Sequence, residues 1–162
     1  MMKDFINIVC IGLLLFLASC SSKTEKQLTG KKWYLYGVGI SFFDKDGIEG
    51  EHNYQFYKKS RGISNHWTFT PAGNYIIVEN GKAAGGKWQL IQDTHLKFTE
   101  IPNNTIKKFD ILELSLKELK LGYKLDDNGQ IASIIMLFKP GFDDWPEDEE
   151  IDMLNGDNTM LK

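Results

Sequence analysis

Leu119-Lys120-Leu121-Gly122-Tyr123-Lys124-Leu125, then Asp126-Asp127-Asn128-Gly129, then Ile131 to Phe138, is the stretch whose reading decides the fold. Leu119, Leu121, Tyr123 and Leu125 alternate with Glu118, Lys120, Gly122 and Lys124. Successive side chains of an extended strand point to opposite faces, so the pattern predicts a strand with one buried face. Asp, Asn and Gly are turn formers, and Ile131 to Phe138 follows as a second, more continuously apolar strand. Two such strands joined by a short turn make an antiparallel hairpin.

The same grammar holds on the N-terminal side. Lys32 to Ile40 reads as a first strand, with Trp33, Tyr34 and Tyr36. His66 to Thr70 and Asn74 to Glu79 flank the turn Pro71-Ala72-Gly73, and Asn80-Gly81 is a two-residue hairpin signal. Gly86 to Gln92 alternates Trp88 and Leu90 against Lys87 and Gln89, and Leu96 and Phe98 alternate with Lys97 and Thr99. Residues 42–64 are less regular, with a turn at Asp44-Lys45-Asp46-Gly47 and a short strand from Asn53 to Lys58. One segment reads two ways. Phe109, Leu112, Leu116 and Leu119 are spaced like one helix face, and Ser115 with Glu118 matches a capping box. The alternation from Leu119 and the glycine at 122 favour two strands joined at 115–117. The expectation is an all-β fold, a small antiparallel meander barrel of eight or nine strands that closes on itself and leaves no exposed edge.

The N-terminus follows other rules. Met1-Met2-Lys3-Asp4 precedes an apolar run from Phe5 to Ala18, which is signal-peptide length and short of the roughly 20 residues a membrane span needs. Leu17-Ala18-Ser19-Cys20 resembles the bacterial lipobox, in which small residues precede a cysteine whose thiol takes a diacylglyceryl group. The expected organisation is a cleaved lipoprotein signal peptide over 1–19, lipidation at Cys20, a polar tether over 20–27, the barrel over 28–138 and an acidic tail over 139–162. Anchoring by several acyl chains, palmitate among them, is stable where one chain is not, so the product stays on a membrane. Ser21 after the cysteine lacks the Asp associated with inner-membrane retention, which points to the outer membrane of the cell envelope.

Cysteine and charge exclude whole classes. Cys10 leaves with the signal peptide and Cys20 is acylated, so thiol catalysis, a redox pair and cysteine-ligated zinc are excluded. Residues 20–142 carry 17 bases and 13 acids, whereas 143–162 carry eight acids and one base. The only arginine after the signal, Arg61, and dispersed lysines argue against nucleic-acid binding.

Several segments, in order, resemble the bacterial lipocalin-like domain family of small lipoproteins. They are Leu28-Thr29-Gly30-Lys31-Lys32-Trp33, Trp67-Thr68-Phe69-Thr70-Pro71-Ala72-Gly73-Asn74-Tyr75, Gly86-Lys87-Trp88-Gln89-Leu90, and Ile111 to Leu121. The first departs from the family's Gly-x-Trp by one extra residue, and the insert 42–64 is longer than the pattern needs. The resemblance covers about Leu28 to Phe138. It implies a lipocalin-type barrel, a lipidated envelope location and a ligand cavity, and it implies no known activity.

Candidate chemistry is sparse. His52, His66 and His95 stand apart in sequence, with no close carboxylate or second histidine at ligand spacing. Asp44 to Gly47 with Glu49 and Glu51 has its glycine too early for a calcium loop and reads as a turn. Glu49, Glu51, Glu79, Glu100 and Glu113 include no pair brought together by spacing, and no nucleophile elbow or phosphate loop is present. No cofactor is expected. The aromatics Trp33, Trp67, Phe69, Tyr75, Trp88 and Phe98 allow two readings: they fill a narrow barrel, or they line a cavity for a small apolar ligand. Trp145, in the acidic Phe142 to Glu150, is a candidate anchor for docking on the body or on a partner. The expected function is a non-enzymatic, lipid-anchored binder of a small apolar ligand. The alternative is an accessory or immunity-type lipoprotein engaging an envelope protein partner.

Overall fold

Each alternating run becomes a strand: β1 (Lys32–Phe42), β2 (Asn53–Phe56), β3 (His66–Phe69), β4 (Asn74–Glu79), β5 (Lys82–Ile91), β6 (His95–Glu100), β7 (Ile106–Leu114), β8 (Leu119–Asp127) and β9 (Gln130–Lys139). The computed structural model describes residues 22–44, 46–58, 65–127, 130–141 and 145. The segment 1–19 read as a signal peptide, Cys20 and the acidic tail beyond 141, Trp145 excepted, lie outside the described residues.

The sheet order is β2-β1-β3-β4-β5-β6-β7-β8-β9, and β1 also pairs with β9. Eight strands, β1 and β3 to β9, therefore close into the up-and-down barrel of the lipocalin type, and β2 is an added ninth. Closure runs through Leu35 opposite Phe138 and Gly37 opposite Leu137, with Tyr36 bulged out between them.

β1 has two neighbours on one side in succession. Lys32, Trp33 and Tyr34 pair with β3, whereas Gly37 to Ile40 pair with β2. β8 pairs with β9 along its whole length but with β7 only from Leu119 to Gly122. The strands β8, β9, β1 and β2 thus continue past the barrel as a projecting four-stranded sheet.

The interior is a packed aromatic core. Trp67 lies 4.9 Å from Phe138, Phe98 lies 5.0 Å from Phe109, and Tyr75 stacks on Phe98 at 4.6 Å between ring centroids. Offset and tilted rings at such spacing add favourable contact to the burial of their large areas.

One end is shut by α1 (Lys23–Leu28), whose N-cap Ser22 side chain accepts a hydrogen bond from the Glu25 N–H. The Leu28 side chain is completely buried, and the Trp33 indole donates to its carbonyl at 2.9 Å. The Lys31 ammonium sits 4.4 Å above the Trp33 ring. Much of the stretch expected as a tether is therefore a helical turn held on the barrel floor. The helix-like spacing after Phe109 is resolved as strand. Ser115 Oγ accepts from the N–H groups of Lys117 and Glu118 in a turn, Phe109 and Leu119 are buried, and Leu112 and Leu116 are exposed.

Candidate functional site: the mouth of the barrel

The six aromatics expected to line a cavity are Trp33, Trp67, Phe69, Tyr75, Trp88 and Phe98, and every one is at most 7% exposed. All six belong to one packed cluster with Leu28, Leu96, Phe109, Leu119, Leu121 and Phe138. Together they pack the barrel interior, the first of the two expected arrangements. An eight-stranded barrel is just wide enough for side chains, and so many rings leave no room beneath them.

The other end lies opposite α1. Around it lie the β1–β2 loop, the Asn80-Gly81 turn, residues 101–105 and the β8–β9 turn, because the strands are antiparallel throughout. Steps of two residues from the inward-facing Leu121 and Phe138 put Tyr123, Leu125, Met136 and Ile134 on the inner face of the projecting sheet, and beyond the bulge at Tyr36 their register partners place Val38, Ile40 and Phe42 on it too. Ile40 is 39% exposed, Leu125 42% and Phe42 54%, so this apolar face meets solvent. A depression of about 360 Å³ runs along it, bordered by Val38, Ile40, Phe42, Asn53, Tyr54, Gln55 and Tyr57.

The inward side of β4 to β7 is charged at the same end. Glu100 and Lys107 lie inward, two residues from Phe98 and Phe109, and their side chains meet at 2.7 Å. Glu79 and Lys82 are cross-strand partners on the same face as Ile77 and Ala84, and these four border a second depression of about 310 Å³ with Asn80 and Ala83. The Glu100 carboxylate holds the Lys107 ammonium above its ordinary range through their hydrogen bond. Tyr75 shares the inward face with Glu100 through Gly86, which pairs with both, and burial, then the Glu100 charge, pushes its hydroxyl up. The sequence reading missed this wall, although the signal was present: extending the alternation beyond Phe98 and back from Phe109 puts Glu100 and Lys107 on the inward face.

The outer face of β1 carries a second apolar cluster. Gly37 and Gly39 have no side chains, and the Phe56 and Tyr54 rings lie where a Cβ would stand. Tyr36 stacks on Phe56 at 5.9 Å and meets Trp145 edge-on at 6.0 Å. Trp145 is buried, and its indole donates to the Tyr57 carbonyl at 3.0 Å. Of the two expected docking modes, on the body or on a partner, the ring is seen docked on the body.

The histidines are less isolated than their spacing predicted. His95 meets Asp110 at 3.2 Å on an exposed face, and His52 meets Glu49 at 3.3 Å. His66 packs on Tyr34 at 5.5 Å with its Nδ1 buried and unpartnered. Ser41 joins the second pair, with Oγ 2.8 Å from Glu49 Oε1 and 3.3 Å from His52 Nε2. A nucleophilic relay needs histidine to bridge base and nucleophile with its two different nitrogens. Here a single nitrogen faces both partners, and Ser41 is 1% exposed. The cluster fastens the β1–β2 loop to its strand. Hydrogen bonds from Ser133 and Ser41 hold the Glu49 carboxyl below the usual carboxylate range. In that loop Asp44 Oδ1 accepts from the N–H groups of Asp46 and Ile48, which makes the expected turn. Among the described residues no three His, Cys, Asp or Glu side chains gather as metal ligands.

No protein-family model matches the chain. No curated protein matches it in sequence. Solved lipocalin structures are similar over most of its length. Apocrustacyanin C2 matches with a TM-score of 0.47 and 13% identity, over 86% of this chain and 74% of that one. Bovine odorant binding protein, as a deswapped triple mutant, matches at 0.41 and 17%, over 83% and 86%. The bovine lipocalin allergen Bos d 2 matches at 0.42 and 12%, over 85% and 89%.

Proposed function

We propose that this chain is a lipid-anchored binding protein of the bacterial envelope, attached at Cys20, whose barrel mouth takes a small ligand with a large apolar part and performs no catalysis. The observation that carries the binding reading is the apolar face with Ile40 and Phe42 exposed among the described residues, beside an interior packed with aromatics. Exposed apolar surface is costly in water, and a concave one beside a few polar groups is the usual form of a small-molecule site. Anchoring rests on the apolar run 5–18 and the Leu17-Ala18-Ser19-Cys20 sequence, the outer-membrane placement on Ser21 after the cysteine, and the likeness to the lipocalin-like lipoprotein family on the motif segments between Leu28 and Leu121.

Native mass spectrometry of the full-length lipoprotein, purified gently from membranes, tests the binding reading. A co-purifying small molecule that is lost in Ile40→Glu is the expected result. A protein that carries nothing, in wild type as in the variant, would sink the proposal. For the anchor, labelled palmitate should enter the wild-type chain and not Cys20→Ser, and equal labelling of both contradicts lipidation at this residue.

A further inference from the structure

The end of the barrel that carries α1 is built unlike the other. The antiparallel strands bring three turns to it: 70–73 between β3 and β4, 92–94 between β5 and β6, and 115–118 between β7 and β8. Leu116 stands at the tip of the last and is 72% exposed, more than any other large hydrophobic residue among those described. Pro71 and Ala72 are exposed at the tip of the first. Lys23 and Lys26 on α1 and Lys32 at the start of β1 are exposed as well, and Asp93 is the exposed acid among the described residues of the three turns. The far end has the opposite balance. Among the described residues there, the exposed Asp44, Asp46, Glu49, Glu51, Glu79 and Asp126 outnumber the exposed Lys82, Lys107 and Lys124.

We propose that the α1 end of the barrel rests on an anionic bilayer, with Leu116 entering the head-group layer and Lys23, Lys26 and Lys32 lying against its charges. The inference rests on the lipid anchor proposed above and adds to it a contact made by the folded chain. Cys20 precedes Lys23 by three residues, so acyl chains on it enter the bilayer within about 11 Å of α1. α1 packs against β7, and β7 leads directly into the turn that carries Leu116. The anchor therefore delivers this tip, and not the far end, to the surface. A leucine surrounded by water gains by entering the acyl boundary, and lysines gain from the negative surface potential of an anionic leaflet. The same potential repels the acidic far end, so charge and anchor select one orientation. The mouth of the barrel then points away from the membrane.

The test uses the lipoprotein carrying Leu116→Cys or, at the far end, Ala83→Cys, labelled with a fluorophore and reconstituted into vesicles. In a chain cleaved before Cys20 and acylated there, the introduced cysteine is the only free thiol. Vesicles of phosphatidylglycerol with phosphatidylcholine, or of phosphatidylcholine alone, carry a nitroxide quencher near the head groups. The label at 116 should be quenched in the anionic vesicles, and the label at 83 should not. Lys23→Glu with Lys26→Glu should shift the balance of docked and undocked protein by about five-fold for each lysine removed. Because the label replaces Leu116 itself, hydrogen exchange is read in the unlabelled protein too. The 115–118 turn should exchange more slowly on anionic vesicles, and Leu116→Ser should restore the rate. Equal quenching at 116 and 83, or none at 116 in protein that floats with the vesicles, overturns the docked orientation and leaves the anchor standing. Quenching at 116 that is the same on neutral and anionic vesicles overturns the choice of an anionic surface. Protein that floats with neither kind of vesicle overturns the anchor and the inference together.

Discussion

The Trp33 indole N–H donates to the Leu28 carbonyl at 2.9 Å, and this bond joins the end of α1 to the start of β1 inside the barrel floor. Both residues are fully buried, so the carbonyl has no water to turn to if the donor is removed. Trp33→Phe keeps most of the apolar volume and strands that acceptor. It should lower unfolding free energy by about 1–3 kcal/mol in urea titrations, whereas Trp33→Ala, which also opens a cavity, should cost about 3–5 kcal/mol. Equal stability of Trp33→Phe and wild type would mean that the bond holds nothing.

Gly86 and Gly39 should respond differently to the same substitution. A Cβ on Gly86 would run into the Thr99 carbonyl of the neighbouring strand, and backbone cannot step aside. On Gly39 it would meet only the Tyr54 ring, which can swing outward. Thermal melts should show Gly86→Ala lowering Tm well beyond Gly39→Ala, and the reverse order would contradict the packing described for β5 and β6.

Trp145 is an internal anchor, so its loss is a matter of stability. Trp145→Ala should destabilise by about 3 kcal/mol, the low end for a buried tryptophan, and should weaken the near-ultraviolet circular dichroism of the Tyr36 and Phe56 cluster. A variant as stable as wild type would return Trp145 to the role of a partner contact.

Glu49 links stability to acid. Its carboxyl titrates lower in the folded chain than in the unfolded one because Ser133 and Ser41 donate to it. The stabilisation is therefore present above the ordinary carboxylate pKa of about 4 and is lost as pH falls through the lower folded value. Glu49→Gln should be less stable than wild type at neutral pH, with the gap closing toward low pH. A gap that stays constant across that range, in urea midpoints measured at a series of pH values, argues against the linkage.

Phe42 separates binding from folding. Its ring is more than half exposed, so Phe42→Ser should shift stability by less than about 0.5 kcal/mol. The same change should reduce retention of the co-purifying ligand in native mass spectra, and unchanged retention would place the ligand elsewhere.

Much of the architecture was legible in local pattern. Strand direction alternates residue by residue, so Leu119, Leu121 and Tyr123 declare a buried face without reference to any partner, and Asn80-Gly81 declares a hairpin by the positive φ that both residues adopt. The eight or nine expected strands are nine among the described residues, and the six aromatics lie together in the interior. Whether they filled or lined the barrel was not legible, because filling depends on how many rings meet across the interior. Phe109 and Phe138 reach Trp67 from strands about 40 and 70 residues away in the chain.

The mouth and the outer clusters were decided by the long-range register alone. Leu35 opposite Phe138 closes the ring and carries β8, β9, β1 and β2 past it, which leaves Ile40 and Phe42 uncovered. The pairing of β6 with β7 brings Glu100 to Lys107, and Trp145 packs edge-on against Tyr36. Alternation tells each residue which face it occupies, and that is local information. Which faces end up covered depends on which strands meet, and only the closed barrel specifies that.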